Sequence, residues 1–262
     1  VTAAIIAGHP TQSGYKDANG ENARFQRITG FIGIAKILIA ADYNHCLRRI
    51  HRDTGLTTTF SGMCTSPGYQ DGTRAKFDYP GGIISDNRNS NQLLVTDAFN
   101  NAIRTVAVTD GSVGTFQKSN NMGDPQYLTQ NTAGDIFVTT YYAVYRISYT
   151  EKTITLIAGS PNNAAYRDGS LLDSSFSYPK ELIFIQTNKL LIADYGNDKF
   201  RLLHLDKDKV TTLNLCNGCV SLVSPYSIML TNDSLYVAEY EKILRFKCKF
   251  NTKYYIMGDY KH

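Results

Sequence analysis

The stretch that decides the fold is residues 154–205, ITLIAGSPNNAAYRDGSLLDSSFSYPKELIFIQTNKLLIADYGNDKFRLLHL. After a first apolar run comes a loop rich in Gly, Asn and Ser, and Phe176 and Pro179 mark the return of the chain to the core. The strand-like runs are residues 154–158, 181–185, 190–193 and 200–205. Because the same order of features recurs along the chain, this stretch is one copy of a structural repeat.

Acidic residues at the end of one strand-like run mark the period of the repeat. They are Asp42, Asp97, Asp194 and Glu239, with Thr140 in the remaining slot, and they lie about 45 to 55 residues apart. Four short strands in a period of this size are typical of a β-propeller blade. The content of 18 Tyr and 12 Phe also favours strands.

The sequence therefore predicts a single all-β domain over residues 1–262, a β-propeller of four-stranded antiparallel blades. Five blades are counted along the chain. Strand-like runs at both ends, residues 3–8 and 254–258, leave a six-bladed propeller open as the alternative.

The pattern Asp-Gly…Phe…Pro…Ile…Leu-Ile-Ala-Asp…Asn…Arg resembles NHL repeats. The match is strong around Asp97 and Asp194, fair in the first copy and weak in the third and fifth. The resemblance implies a propeller, typically six-bladed, that docks a macromolecule, usually a protein, on one flat face. It also implies two alternatives, because some intracellular NHL domains bind RNA and NHL-like amidating lyases hold a metal.

The most regular signal is an acid followed six or seven residues later by Arg. The pairs are Asp42 with Arg48, Asp97 with Arg104, Asp194 with Arg201 and Glu239 with Arg245, whereas Arg146 has Thr140 in the acidic slot. This spacing predicts a carboxylate that accepts N–H groups of a turn and lies near the guanidinium across a hairpin. We interpret the pairs as architectural, and the alternative is a ring of polar groups around one mouth of the channel.

A second signal is a loop that combines Tyr with Asp two residues later. It contains Tyr15 and Asp17, Tyr69 and Asp71, and Tyr166, Arg167 and Asp168. In one interpretation the Asp caps the loop and the Tyr covers the edge of a neighbouring blade. In the other, the three loops form a docking surface with the Tyr residues as anchors, since Tyr is favoured at interfaces. We take these residues as the predicted partner-binding set.

The five cysteines leave more than one pairing open. Cys46 with Cys64, or Cys248 with one member of the pair Cys216 and Cys219, would suit an extracellular protein. Buried or loop thiols are the alternative. Asn232 begins an Asn-Asp-Ser glycosylation sequon. These features place the protein at the cell surface or outside the cell as an expectation.

The sequence favours the hypothesis that the protein is a non-catalytic recognition scaffold that binds a protein partner. The net charge of +4 is mild and the basic residues are scattered, which argues against nucleic acid. No recognised hydrolase or phosphate-binding motif occurs, so we expect no catalytic residue, metal or cofactor. No apolar run is long enough to span a membrane. The alternatives are a metal-dependent hydrolase or lyase with its site in the central channel, and an RNA-binding NHL domain.

Overall fold

The computed structural model describes residues 4–213, 222–231, 234–239 and 242–247, together with the backbone of residues 249–251 and 254–256. These residues form β-strands joined by turns and by three short 3-10 helices. The chain divides into two compact units, Val1–Gln130 and Asn131–His262, and each is described by itself below.

The first unit contains two antiparallel sheets, with strand orders β1-β5-β4-β3-β2 and β6-β7-β8-β9. Its 3-10 helices are Gly20–Asn22 and Ala98–Asn100. The strands are β1 (Ala18–Asn19), β2 (Ile28–Ile34), β3 (Ile37–Asp42), β4 (Cys46–His51), β5 (Leu56–Ser61), β6 (Pro80–Ser85), β7 (Gln92–Asp97), β8 (Ala102–Ala107), β9 (Val113–Lys118) and β10 (Tyr127–Gln130).

The second unit contains antiparallel pairings in the orders β11-β12-β13, β14-β15-β16-β17, β18-β19-β20 and β21-β22. Its 3-10 helix is Tyr195–Asn197. The strands are β11 (Ile136–Thr139), β12 (Ala143–Ile147), β13 (Ile154–Gly159), β14 (Pro179–Gln186), β15 (Lys189–Asp194), β16 (Lys199–His204), β17 (Lys209–Leu213), β18 (Ser227–Leu230), β19 (Ser234–Ala238), β20 (Ile243–Lys247), β21 (Lys249–Asn251) and β22 (Tyr254–Ile256).

The second strand of a sheet is its most buried element. Strands β7 and β15 are apolar on both faces, and every residue after the first is buried. This explains why LLVT and LLIA read as continuous apolar runs instead of alternating with polar residues. Each run ends in a buried acid, Asp97 or Asp194, at the point where the chain turns into the third strand.

The core of each unit lies between neighbouring sheets. In the first unit Ile39 and Leu47 pack with Phe77, Leu93 and Val106, all of them buried. A second cluster joins Leu191, Ala193 and Phe200 to Ile228, Leu235 and Val237 in the second unit. Because a single blade cannot bury both of its faces, this packing of sheet on sheet is the main source of stability.

The fold is an all-β, five-bladed β-propeller, which confirms the predicted fold class and the lower blade count. The assignment of residues 154–159 to the same structural unit as the strands that follow them was wrong. Residues 154–159 form β13, which pairs with β12 and therefore belongs to the sheet before β14. The sequence repeat is thus offset from the blade by one strand, as is also seen for β5, which pairs with β4.

The predicted opening strand at residues 3–8 is likewise wrong for the part that the structure describes. Residues 4–8 have no strand conformation, and Ile5 and Ile6 are about half exposed. The predicted run at residues 254–258 does contain a strand, β22, but β22 pairs with β21.

Of the two cysteine pairings considered, Cys46–Cys64 is present as a disulfide with a Cα–Cα distance of 4.9 Å. It ties the start of β4 to the loop after β5. Cys216, Cys219, Cys248 and Asn232 lie outside the described residues.

Removing the disulfide should destabilise the protein. The bond closes a loop with a sequence separation of 18 residues, for which the loss of chain entropy in the unfolded state predicts about 3 kcal/mol of stabilisation. Urea unfolding of the Cys46→Ser/Cys64→Ser variant should show this loss relative to the oxidised wild type. Equal unfolding free energies of the two proteins would contradict it. Urea unfolding of the variant with and without a reductant measures the contribution of the other cysteines to the free energy of unfolding.

Candidate functional site

The acid–arginine pair of the second blade is part of a continuous polar network. The fully buried Arg104 lies 2.6 Å from Asp97 and 2.5 Å from Asp71, so that two carboxylates hold one guanidinium. Thr115 on β9 donates to Asp71 at 3.1 Å, and its hydroxyl lies 2.6 Å from the hydroxyl of Tyr69. The loop Asp and Tyr are therefore direct partners of the arginine, a connection that sequence reasoning missed.

Two further blades repeat this arginine network. Arg48 and Arg201 are also fully buried in their side chains. The first network joins Asp42, Arg48, Asp17, Thr59 and Tyr15, with the Arg48 ion pairs at 3.0 and 2.6 Å. The fourth-blade network joins Asp194, Arg201, Asp168, Thr212 and Tyr166, with the Arg201 ion pairs at 2.8 and 2.7 Å. Arg167 contributes only its backbone carbonyl, which accepts from Arg201.

The predicted anchors Tyr15, Tyr69 and Tyr166 cover these arginines. Their ring centroids lie 5.0, 4.6 and 4.9 Å from the guanidinium carbons of Arg48, Arg104 and Arg201. Each ring is nevertheless partly exposed. We name Tyr15, Tyr69 and Tyr166 the rim tyrosines. Their contacts support the architectural interpretation, and their role in binding a partner stays a prediction.

Truncation of Tyr69 should lower stability, because its ring packs against two cations. The Arg104 guanidinium carbon lies 4.6 Å and the Lys118 ammonium 3.5 Å from the ring centroid. We expect Tyr69→Ala to cost about 1 to 2 kcal/mol in the free energy of unfolding. Tyr69→Phe is the matched control, since it removes only the hydroxyl bond to Thr115 and should cost less. Thermal unfolding of both variants measures the difference, and equal losses would show that the ring contributes nothing.

Among the residues that the structure describes, the third and fifth blades show no such network around Arg146 and Arg245, and strand register gives the reason. Arg104 and Arg201 pair with the residue two positions before the acid, Val95 and Ile192. Arg146 pairs with Phe137, three positions before Thr140. The last pairs of these hairpins, Thr139 with Val144 and Asp97 with Ala102, are both five residues apart, so the position equivalent to Asp97 is Thr139. Thr139 has no carboxylate, and the neighbouring Thr140 lies on the opposite face of the strand.

The displaced arginines have other partners. Arg146, with about half of its side chain exposed, binds Asp135 at 2.5 Å. Arg245, which pairs with Tyr236, donates through Nε to the hydroxyl of Ser234. Glu239 forms its ion pair with Lys242 at 3.1 Å. A spacing of six residues between the acid and the arginine is thus not enough to predict their ion pair, because it does not specify the length of the turn between the two strands.

Within one network the two carboxyl groups differ in their pKa. Burial raises the pKa of Asp194 above its usual value, against the opposing effect of Asn197, the Ser177 N–H and Arg201. Burial also acts on Asp168, but the Thr212 N–H, Arg201 and the Thr212 hydroxyl together lower its pKa. The outer acid therefore stays charged to lower pH than the inner one, and it keeps the arginine paired.

Aromatic side chains gather where the second and third strands of a blade meet. In the first unit the ring of Tyr79 contacts Tyr43 at 5.0 Å, His45 at 4.8 Å and Phe99 at 4.5 Å between centroids. Phe99 is 53% exposed. We name Tyr43, His45, Tyr79 and Phe99 the first aromatic group. The Arg27 guanidinium lies 5.2 Å from the Tyr43 centroid, which places a cation beside these rings.

The second unit carries a comparable cluster, Tyr141, Tyr142 and Tyr178, which we name the second aromatic group. Tyr178 contacts the other two rings at 5.5 and 5.4 Å. It is 42% exposed, and its hydroxyl accepts from that of Tyr142 at 3.3 Å. This bond is the main reason that the pKa of Tyr142 is raised.

Tyr79 and Tyr178 occupy equivalent positions, each preceding the proline that begins an inner strand. Both have left-handed backbone conformations, with φ of 57° and 48°. This region is unfavourable for a bulky residue and is most often retained where the side chain must point in a particular direction. Backbone bonds from Ala98 to Tyr79 and from Tyr178 to Tyr141 hold the two turns.

The sequence contained a signal for both groups that the repeat analysis passed over. An aromatic residue follows the acidic slot within two positions. Tyr43 follows Asp42, Phe99 lies two residues after Asp97, and Tyr141 and Tyr142 follow Thr140. In addition, Tyr79 and Tyr178 each precede a proline. These positions belong to turns, where apolar side chains are not required for the core.

Glu181 on β14 is a partly buried carboxyl that joins two inner strands of the second unit. It accepts bonds from the Ser227 hydroxyl and, at 2.7 Å, from the Ile228 N–H of β18. Burial raises its pKa, and these two bonds oppose the effect.

Stability should therefore depend on pH through Glu181. Because its folded pKa lies above the unfolded value of about 4.3, the stabilisation present below that pH is lost as pH rises through the folded pKa. Glu181→Gln should unfold at higher urea than wild type at pH 7, with a smaller difference at pH 4. The exposed Glu151→Gln is the control. A variant less stable than wild type at pH 7 would contradict the expectation.

Among the described residues, no group of three or more His, Cys, Asp or Glu side chains is arranged to hold a metal ion. In the same part of the chain, no helix is both long enough and apolar enough to cross a membrane.

Comparison with known proteins supports the fold. No protein-family model and no curated protein matches the sequence. Solved structures do match. An auxiliary nutrient binding protein from Bacteroides ovatus has a TM-score of 0.64 at 11% identity over 85% of this chain and 61% of that one.

Two further structures show the same likeness. A nidogen/laminin complex gives a TM-score of 0.61 at 13% identity, covering 84% of this chain and 75% of the other. Virginiamycin B lyase from Staphylococcus aureus gives 0.52 at 15% identity, covering 84% and 69%. Identities this low establish the fold alone.

Proposed function

We propose that the protein is a non-catalytic recognition propeller that binds a protein partner through an aromatic group on its blade turns, with the first and the second aromatic group as the two candidate sites. The observation that carries this proposal is the exposure of Phe99 at the edge of the first aromatic group and of Tyr178 at the centre of the second, both on blade turns. A turn does not need aromatic side chains for folding, whereas aromatic clusters supply most of the binding energy at many protein interfaces.

The chemistry of the groups indicates what the partner presents. Tyr offers an apolar ring and a hydroxyl at low entropic cost, which suits an apolar side chain flanked by polar groups. Arg27 lies beside the first group, and Lys180 lies 5.8 Å from the centroids of both Tyr195 and Tyr226 in the second unit. With a net charge of +4, these cations favour a partner segment that carries carboxylates.

The rim tyrosines are the second candidate surface. They are partly exposed, but each ring packs on an arginine and each hydroxyl lies within hydrogen-bond distance of a threonine. A side chain with these contacts has less freedom to adapt to a partner. We therefore rank the aromatic groups above the rim tyrosines as the docking surface.

We infer a location at the cell surface or outside the cell, in a protein of NHL type. The disulfide Cys46–Cys64 supports this inference, since such bonds persist in oxidising compartments. The same fold in a nidogen/laminin complex and in nutrient binding proteins supports a binding role.

The test is affinity capture with matched variants. Immobilised wild type is compared with Phe99→Ala, Tyr178→Ala, Tyr69→Ala and Tyr166→Ala, each checked for folding by circular dichroism. A protein captured by wild type and by the Tyr69 and Tyr166 variants, but lost with Phe99→Ala or Tyr178→Ala, supports the proposal. Loss only with the rim variants would move the site to the rim tyrosines.

Two other outcomes would overturn the proposal. Capture of RNA with an affinity that falls steeply with salt would indicate an RNA-binding domain. Stoichiometric metal in the purified protein, with turnover of a substrate that chelation abolishes, would indicate the hydrolase or lyase alternative.

A further inference from the structure

One nitrogen of His45 faces two partners that require opposite protonation states. Its Nδ1 accepts the backbone N–H of Tyr79 at 3.3 Å. The same Nδ1 lies 3.3 Å from a carboxylate oxygen of Asp78. Nδ1 can accept the N–H only when it is unprotonated, and it can donate to the carboxylate only when it carries a proton.

The ring is held at this position from several sides. His45 itself has a left-handed φ of 65°, and its side chain is 14% exposed. Its imidazole contacts the ring of Tyr79 edge to face. The Asp78 N–H donates to Asp97 at 2.7 Å, so the carboxylate that faces His45 lies on an anchored backbone.

Resting on the proposed role of the first aromatic group, we propose that His45 is a pH switch that sets the position of Tyr79 within that group. In the neutral Nε2–H tautomer, Nδ1 accepts the Tyr79 N–H and the Asp78 carboxylate faces its lone pair. On protonation, the Nδ1–H pairs with Asp78, and the Tyr79 N–H loses its acceptor. Histidine is the residue type that most often serves as a switch at physiological pH.

The surrounding charged groups are few and already engaged. Asp97 is paired with Arg104, and Asp42 in the turn before His45 is paired with Arg48. Arg27 lies beside Tyr43. The phenols of Tyr43 and Tyr79 are the other titratable groups of the first aromatic group. Asp78 is therefore the anion that responds to the charge of His45.

The change reaches the exposed edge of the group through the backbone. The Phe99 N–H donates to the Asp78 carbonyl at 3.1 Å, and the Ala98 N–H donates to the Tyr79 carbonyl at 3.2 Å. Movement of residues 78 and 79 is thus transmitted to the turn that carries Phe99. Protonation also adds one positive charge beside the rings.

The experiment follows the backbone amide of Tyr79 by ¹H–¹⁵N NMR between pH 5 and 8 in the full chain, without any partner. The Tyr79 amide of wild type should show a single transition in chemical shift that coincides with that of the His45 ring protons. His45→Gln, whose carbonyl keeps an acceptor but does not titrate, should abolish it. Asp78→Asn should reduce the amplitude of the transition, because the carboxylate that the protonated Nδ1 would pair with is gone.

His9→Gln is the matched control, because His9 is a histidine of the same unit whose hydrogen bonds, among the described residues, are to Thr11. The Tyr79 transition should persist in it unchanged. A flat Tyr79 amide in wild type, or the same transition in His45→Gln, would overturn the switch. Since the readout needs no partner, its failure is distinct from a failure of the proposed binding function.

Discussion

Replacing Arg104 with alanine should lower the free energy of unfolding by about 3 to 5 kcal/mol. The guanidinium is fully buried and pairs with Asp97 and Asp71, and it also donates to the carbonyls of Lys76 and Gln70. Without it, the fully buried Asp97 has lost its countercharge in a place where burial already raises its pKa. Either the charge stays buried at high cost, or the carboxyl takes up a proton.

Arg146→Ala is the matched control for this prediction. It removes the same residue type from the equivalent hairpin of the third blade, where about half of the side chain is exposed and one ion pair with Asp135 is lost. That loss should be smaller than for Arg104, because only one carboxylate loses its partner and it keeps the bond from the Tyr149 N–H. Urea unfolding at pH 7 measures both variants. Similar losses for Arg104→Ala and Arg146→Ala would show that the buried network is not a source of stability.

The second large effect is expected on partner binding. Tyr178→Ala should weaken the captured partner's affinity by about a hundredfold, the loss typical of a truncated aromatic hot spot. The ring is the centre of the second aromatic group and contacts both Tyr141 and Tyr142. Its removal takes away both the direct contact and the support for its neighbours. Isothermal titration with the purified partner gives the ratio of dissociation constants.

Tyr178→Phe separates the ring from the hydroxyl. It removes the bond with Tyr142 but keeps the edge-to-face contacts, so it should weaken binding much less than alanine does. Its thermal stability should equal that of wild type within error. If Tyr178→Ala bound the partner as tightly as wild type, the second aromatic group would have no part in recognition.

The fold could be predicted because its signals are local and repeated. The runs LLVT and LLIA before a buried acid, each in a period with three other short strands, are sufficient for a propeller. The blade boundary could not be predicted in the same way. Assignment of residues 154–159 to one sheet or the next depends on which strand accepts their hydrogen bonds, and that pairing is not visible in the order of features.

The candidate site was harder to predict from the sequence, for a different reason. The recurrence of Tyr15, Tyr69 and Tyr166 was visible, but their stacking on Arg48, Arg104 and Arg201 depends on contacts across more than 30 residues of chain. Arg146 has no inner acid because the register of its hairpin places Thr139, and not Thr140, at the position equivalent to Asp97. A motif therefore predicts which residue types recur, whereas the geometry decides which of them remain available to a partner.

Site-specific photocrosslinking tests the central claim most directly. Benzoylphenylalanine is placed at position 99, 178 or 69, and the purified partner is added under light. The two aromatic groups should crosslink to the partner from positions 99 or 178, and position 69 should not. Crosslinking from position 69 alone would contradict this account and place the docking surface at the rim tyrosines.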